Sequence, residues 1–290
     1  MRGIRIGRIS IFLVLTFALT WGFNLLVSLT IGQSAYLNLG VSPLGMLFPA
    51  FTALILQLFL LKDSPLYHQN LHGSPRRIIY GYLGVTISYT GFTLIGIFFE
   101  VRPAIFQGIS SLLITLWTLL VLFIGSQSER NALKDAGLQL GNTGLAVKFF
   151  VGVVLFFIIQ SGLNLLLGYS SFLEPADQVY GISIPGNLYP LALILGFSLA
   201  VTGIPLSGLA VTFGEEYGWR GYLQNELEPI GRRTGVMIIG LIWGIWHFPI
   251  ILSGVHTYPP TVLGLFLGLI FFILWGFVQS YAVLKTQSFW

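Results

Sequence analysis

Apolar residues run through this chain in long blocks, and the polar residues gather in brief connections between them. The blocks lie at roughly 9–31, 43–61, 78–99, 104–124, 146–168, 188–213, 235–254 and 262–284. Each is long enough to cross a hydrocarbon core of roughly 30 Å at about 1.5 Å per residue. The pattern predicts an all-α fold, a polytopic transmembrane helical bundle of about eight spans. A transmembrane barrel would show alternating segments of about ten residues, and the sequence has none. The stretch 188–223 is 36 residues long, roughly 54 Å as one helix, which is more than a bilayer needs. A break is expected at Gly203-Ile-Pro-Leu-Ser-Gly208, because proline removes a helix hydrogen bond and clashes with the preceding turn.

Composition agrees with the pattern. The chain is 55% hydrophobic and 8% charged, against about 25% charged in ordinary soluble domains. It has no cysteine, which excludes disulfides, thiolate-held metal and cysteine nucleophiles. The net charge of +4 is spread over several connections rather than gathered on one face, so nucleic acid is not an expected partner. With the N-terminus on the cytoplasmic side, thirteen of the fourteen Lys and Arg fall in inside connections, Arg102 being the exception. That asymmetry supports the span order and the cytoplasmic N-terminus. It also places Glu215, Glu216 and Arg220 at the cytoplasmic end of a span. Arg2, Arg5 and Arg8 precede an apolar block longer than the roughly 7–15 residues of a signal peptide, so the block reads as an uncleaved first span.

Against this background the segment Gly214-Glu-Glu-Tyr-Gly-Trp-Arg-Gly221 stands out, with Trp243-Gly-Ile-Trp-His247 one segment later. Charged groups are costly at membrane depth, so such a cluster reads as a functional site. On a helix Glu216 and Arg220 are four residues apart and face each other, while Glu215 is turned about 100° away. The spacing suggests an orienting Glu216–Arg220 ion pair and a separate Glu215 able to serve as general base. Gly214, Gly218 and Gly221 would let a neighbouring helix come close. The competing reading of the same residues is a solvated helix end carrying an ordinary ion pair.

Glu-Glu-x-x-x-Arg followed by aromatic-x-x-x-His on consecutive membrane segments resembles the first two motifs of the CPBP family, also called Abi or CAAX-protease-like intramembrane proteases. The resemblance covers about residues 190–290. Trp243 stands where the family usually has Phe, and the family's third motif, His-x-x-x-Asn, is not present before Trp290. The resemblance implies two parts, residues 1–145 as an N-terminal four-span membrane region and residues 146–290 as a CPBP-like protease core, truncated before the third motif. It implies an intramembrane endopeptidase acting on a peptide or prenylated-protein substrate within the lipid bilayer of a bacterial cytoplasmic membrane. Glu215, Glu216, Arg220 and His247 are the implied catalytic residues, with Glu215 activating water and His247 acting as electrophilic stabiliser or ligand. If a metal such as zinc is used, Glu215 and His247 are its implied ligands. A catalytically incomplete relative acting as a membrane binding or regulatory protein is the alternative expectation, and a proton-relay transporter is a weaker one.

Other polar residues read as structural. His256 lies on the predicted outer side, a poor substitute ligand. His68 and His72 have the spacing of a helical metal pair, but they fall in a short connection between Pro65 and Pro75. Trp243, Trp246, Asn24, Gln57, Gln160, Asn164 and Gln279 read as packing or interhelical hydrogen-bonding residues.

Overall fold

The structure is a computed structural model that describes residues 5–30, 41–99, 103–123, 127–168, 208–254, 256 and 258–290. In chain order the helices are α1 (Ile6–Thr30), α2 (Val41–Ile55), α3 (Gly73–Phe98), α4 (Pro103–Leu122), α5 (Gln127–Asp135) and α6 (Thr143–Leu166). A helical stretch α7 (208–226) follows, then α8 (Arg232–Trp246), α9 (Phe248–Leu252) and α10 (Val262–Thr286). No strand occurs among the described residues.

Six helical segments are long and apolar enough to cross a membrane: Ile6–Thr30, Pro43–Leu60, Gly73–Phe98, Thr143–Asn164, Arg232–Leu252 and Val262–Thr286. The chain is therefore a multi-pass, all-α membrane protein. The predicted block 104–124 forms α4, of which Gly108–Leu122 is a shorter apolar helix. The block 188–213 and its expected break lie outside the described residues, apart from the start of α7 at 208.

The chain divides into two compact units, one formed by 1–141 with 206–290 and the other by 142–205. The second unit contributes α6, whose first turn is capped by the Asn142 side chain accepting from the Leu145 amide at 3.0 Å. The first unit holds the charged cluster. In it α1 packs on α2, α2 on α3 and on α7, α3 on α4 and α8 along α10.

Glycines set the closest approaches. A Cβ on Gly240 would lie 2.9 Å from the Ile273 Cα, so α8 and α10 meet nearly backbone to backbone. At the start of α10 the Thr261 hydroxyl accepts from the Gly264 amide at 3.1 Å, satisfying one of the helix's orphan donors. At its end Gln287 turns into the left-handed region at φ 58°. Two stretches depart from α geometry. Leu56–Leu60 and Tyr217–Leu223 are π-helical, the wider turn often found where a helix carries function. They meet where the Tyr217 hydroxyl donates to the Gln57 side chain.

Candidate active site

The first motif sits on α7. Two of its glycines settle α7 against α2, since a Cβ on Gly214 would be 2.2 Å from the Met46 carbonyl oxygen and 2.8 Å from the Leu47 Cα. Gly221 faces its own neighbour Tyr217 and Phe289 instead. With α7 pressed into the bundle, Glu215, Glu216 and Arg220 are 5%, 8% and 1% exposed. That burial removes the solvated helix end as a reading of these residues.

The cluster sits within α7 rather than at its end. α7 runs past Arg220 to Glu226, and the chain turns only at Leu227–Gly231, where Gly231 adopts φ 93°. Glu215 is thus twelve residues from that turn, roughly 18 Å of helix. The end of the apolar run at Phe213 had suggested a cytoplasmic helix end. Buried pairing lets charged residues continue the helix inside the protein instead.

Arg220 is the hub of the polar cluster. Its Nη1 donates to Glu216 Oε1 at 3.1 Å, the expected i, i+4 pair. Its Nη2 donates to the Gln279 side chain on α10. The guanidinium plane lies over the Trp243 ring, 4.4 Å from its centroid, a favourable placement for a cation on an aromatic face. Glu215 accepts from the Trp243 indole N–H at 2.8 Å through Oε2. Sequence reasoning left Trp243 and Gln279 among the structural residues. Their signal was the i−4 spacing to His247 for one, and an amide inside an otherwise apolar span for the other.

The second motif sits where α8 ends. His247 is the junction between α8 and α9 at φ −80° and ψ −7°, two residues before Pro249. The proline lacks the N–H that would continue the ladder, so the helix breaks there. A carbonyl can only accept, so the 2.8 Å contact between His247 Nδ1 and the Trp243 carbonyl places the proton on Nδ1. The ring stacks on Phe272 at 3.8 Å between centroids and 12° between planes, and meets Trp246 edge to face at 4.7 Å. These contacts fix its direction and leave Nε2 as the acceptor nitrogen.

His256 is closer than the sequence implied. The chain after α9 folds back and brings its ring to 5.9 Å from that of His247, stacked on Tyr258. His68 and His72 do not form a helical pair. Residues 62–70 are mainly turns, and His68 Nδ1 is taken by the Leu58 carbonyl at 3.0 Å.

A catalytic zinc takes about three protein ligands and a water. Among the described residues no group of three His, Cys, Asp or Glu side chains is placed to hold a metal. The donors in hand do not by themselves make that ligand set.

The first helix reaches the site as well. Trp246 donates its indole N–H to the Thr20 hydroxyl at 3.0 Å, and Trp21 donates to the Trp246 carbonyl at 3.2 Å. Phe12 packs against Trp219 and Tyr222 of α7. On the flank of α7 facing its C-terminal end, a cavity of about 330 Å³ is lined by Gln57, Tyr217, Arg220, Gln224, Gln287 and Phe289, among others.

The fold and the buried cluster define a polytopic membrane protein with a charged site enclosed by its helices. Residues 191–290 match the family model described as type II CAAX prenyl endopeptidase Rce1-like. Over 117 residues the chain is 33% identical to CAAX prenyl protease 2 of Methanococcus maripaludis, a stretch covering 37% of this chain and 43% of that protein. It is this C-terminal region that resembles CAAX-protease-like membrane proteins. It matches less than half the length of that curated relative. No solved structure matches the chain.

Proposed function

We propose that this chain is an intramembrane endopeptidase that hydrolyses a peptide bond in a prenylated protein or membrane-associated peptide, using a water activated by Glu215. The observation that carries the reading is the separation of roles between adjacent carboxylates. Glu216 is committed to Arg220, whereas Glu215 accepts only from Trp243 among the described residues, through one of its two oxygens. A buried carboxylate without a cation in hydrogen-bond contact is a better proton acceptor than one in an ion pair. In the proposed step the water oxygen bonds to the scissile carbonyl carbon while its proton passes to Glu215. Collapse of the tetrahedral intermediate breaks the C–N bond, and the proton passes from Glu215 to the leaving amine. His247, with Nδ1–H spent on the Trp243 carbonyl, offers Nε2 as an acceptor that orients the water from a second side. That tautomer favours holding the water over the expected electrophilic role, because a donor to a developing oxyanion would need a proton on Nε2. Glu216, Arg220 and Gln279 hold α7 in register, and the adjoining cavity supports access for a polar chain segment.

The test is cleavage of an internally quenched, farnesylated peptide ending in a CAAX sequence by the purified chain in detergent micelles. Turnover should fall by about 10²-fold or more in Glu215→Gln, the loss expected for a missing general base. A second reading, a membrane binding or regulatory protein using the same cavity, draws support from the want of a third metal-binding side chain near Glu215 and His247 among the described residues. It predicts peptide binding that survives Glu215→Gln and no cleavage by either form.

A further inference from the structure

Three groups of the site converge on one residue. The Trp243 indole N–H donates to Glu215 at 2.8 Å, its ring lies under the Arg220 guanidinium at 4.4 Å, and its carbonyl accepts from His247 Nδ1 at 2.8 Å. Trp243 is 5% exposed, and its ring packs edge to face on Phe272, which in turn stacks on His247. The residue therefore has little freedom to move. Gly244 beside it packs closely on Leu269, since a Cβ there would come within 2.6 Å of the Leu269 Cδ1.

We propose that Trp243 is a positioning residue, whose indole N–H holds the Glu215 carboxylate at a fixed distance from the His247 ring. The inference deepens the reading of Glu215 as general base and rests on it. A carboxylate side chain has several rotatable bonds, and an unpartnered one samples many directions. A hydrogen bond from a rigid, packed donor selects one direction and leaves the second oxygen to face the water. The same carbonyl-to-Nδ1 bond that fixes the imidazole comes from the backbone of this residue, so acceptor and base share one rigid frame. Trp243→Phe would keep an aromatic ring near Arg220 and the carbonyl to His247, but it loses ring volume along with the N–H. A benzothienyl side chain keeps the bicyclic shape and loses the N–H alone.

The experiment compares Trp243→Phe with a chain carrying 3-benzothienylalanine in place of Trp243, which has the shape of the indole and lacks its N–H. With the farnesylated CAAX peptide, both should lower kcat by about ten- to hundredfold, the usual worth of a hydrogen bond to a charged group. In the benzothienyl form KM and the thermal midpoint should stay near those of the parent. A purely structural role would lower the midpoint of the benzothienyl form or leave that form fully active, and either result overturns the proposal. Retained turnover in Glu215→Gln would sink the general-base reading and this inference together, whereas retained turnover in the Trp243 variants alone sinks only the inference. An arm independent of cleavage is ultraviolet resonance Raman of the indole N–H mode, isolated by subtracting the spectrum of Trp243→Phe from that of the parent. That mode should move toward the weakly bonded position in Glu215→Leu, and an unmoved mode rules the bond out.

Discussion

Gly218 lies so close to Pro49 that a Cβ placed on it would come within 2.4 Å of the proline Cβ and 2.6 Å of its carbonyl carbon. The contact joins α7, inside the family-matched region, to α2, outside it. The obstacle is a backbone and a rigid ring, neither of which can rotate away. Gly218→Ala and Gly214→Ala should therefore push the two helices apart and cost about 1–3 kcal/mol each or more. Gly221→Ala should cost less, because its nearest obstacle is the Tyr217 ring at 3.2 Å. Thermal midpoints of the three variants in detergent would rank them.

Arg220 is the least exposed of the four site residues, and its two nitrogens bridge Glu216 and Gln279. Arg220→Met would leave Glu216 buried without its counter-charge, a loss of about 3–5 kcal/mol. Adding Glu216→Gln should restore part of that loss, since the stranded charge is gone. Arg220→Lys should recover little, because a single ammonium cannot serve both partners and the stacked Trp243 ring at once. Equilibrium unfolding of the single and double variants measures each term.

Thr20→Val removes the acceptor of the Trp246 indole while keeping the side chain's shape. The expected cost is about 1 kcal/mol, with somewhat more from leaving the indole N–H unpaired. Trp21→Phe removes the reciprocal bond. Neither residue touches the charged cluster, so a fall in turnover larger than the fall in stability would show that α1 sets the placement of the His247 segment.

Asp63 binds Arg8 at 2.7 Å and Arg5 at 2.9 Å, stapling the start of α1 to the connection between α2 and α3. The hydrogen bond from Arg8 holds its carboxyl below the ordinary range, against a smaller opposing effect of burial. A depressed folded value means that the staple contributes fully above the unfolded pKa of about 4 and is lost as pH falls through the folded one. The carboxyl side chain is 54% exposed, so its contribution is small and screened by salt. Protection factors at the first turn of α1, corrected for the intrinsic pH dependence of exchange, should fall below about pH 4 in the parent, and Asp63→Asn should show the lower protection already above that pH.

Much of the fold was legible because apolar block length acts residue by residue along the chain. The ion pair of Glu216 with Arg220 was legible for the same reason, being set by local helix geometry. The close approach of Gly214 and Gly218 to another helix followed from their small size, though not which helix would receive them. The partners that bury Glu215 and Arg220 were not legible, because they lie on other helices. Gln279 and Trp243 are 59 and 28 residues from the groups they bind, and no spacing rule links them. The nearness of His256 to His247 depends on the fold-back after Pro249, a tertiary feature that periodicity does not carry.

The bond between Thr20 and Trp246 spans 226 positions of sequence. During synthesis the first helix enters the membrane long before its partner leaves the ribosome, and the entropy of closing so long a loop slows their meeting further. α1 therefore waits in the bilayer with Thr20 and Trp21 unmatched until the last hairpin arrives. A nascent chain halted between α7 and α8 holds Glu215 without its indole donor. The same long-range tie that steadies the finished site thus acts as a timer on its appearance.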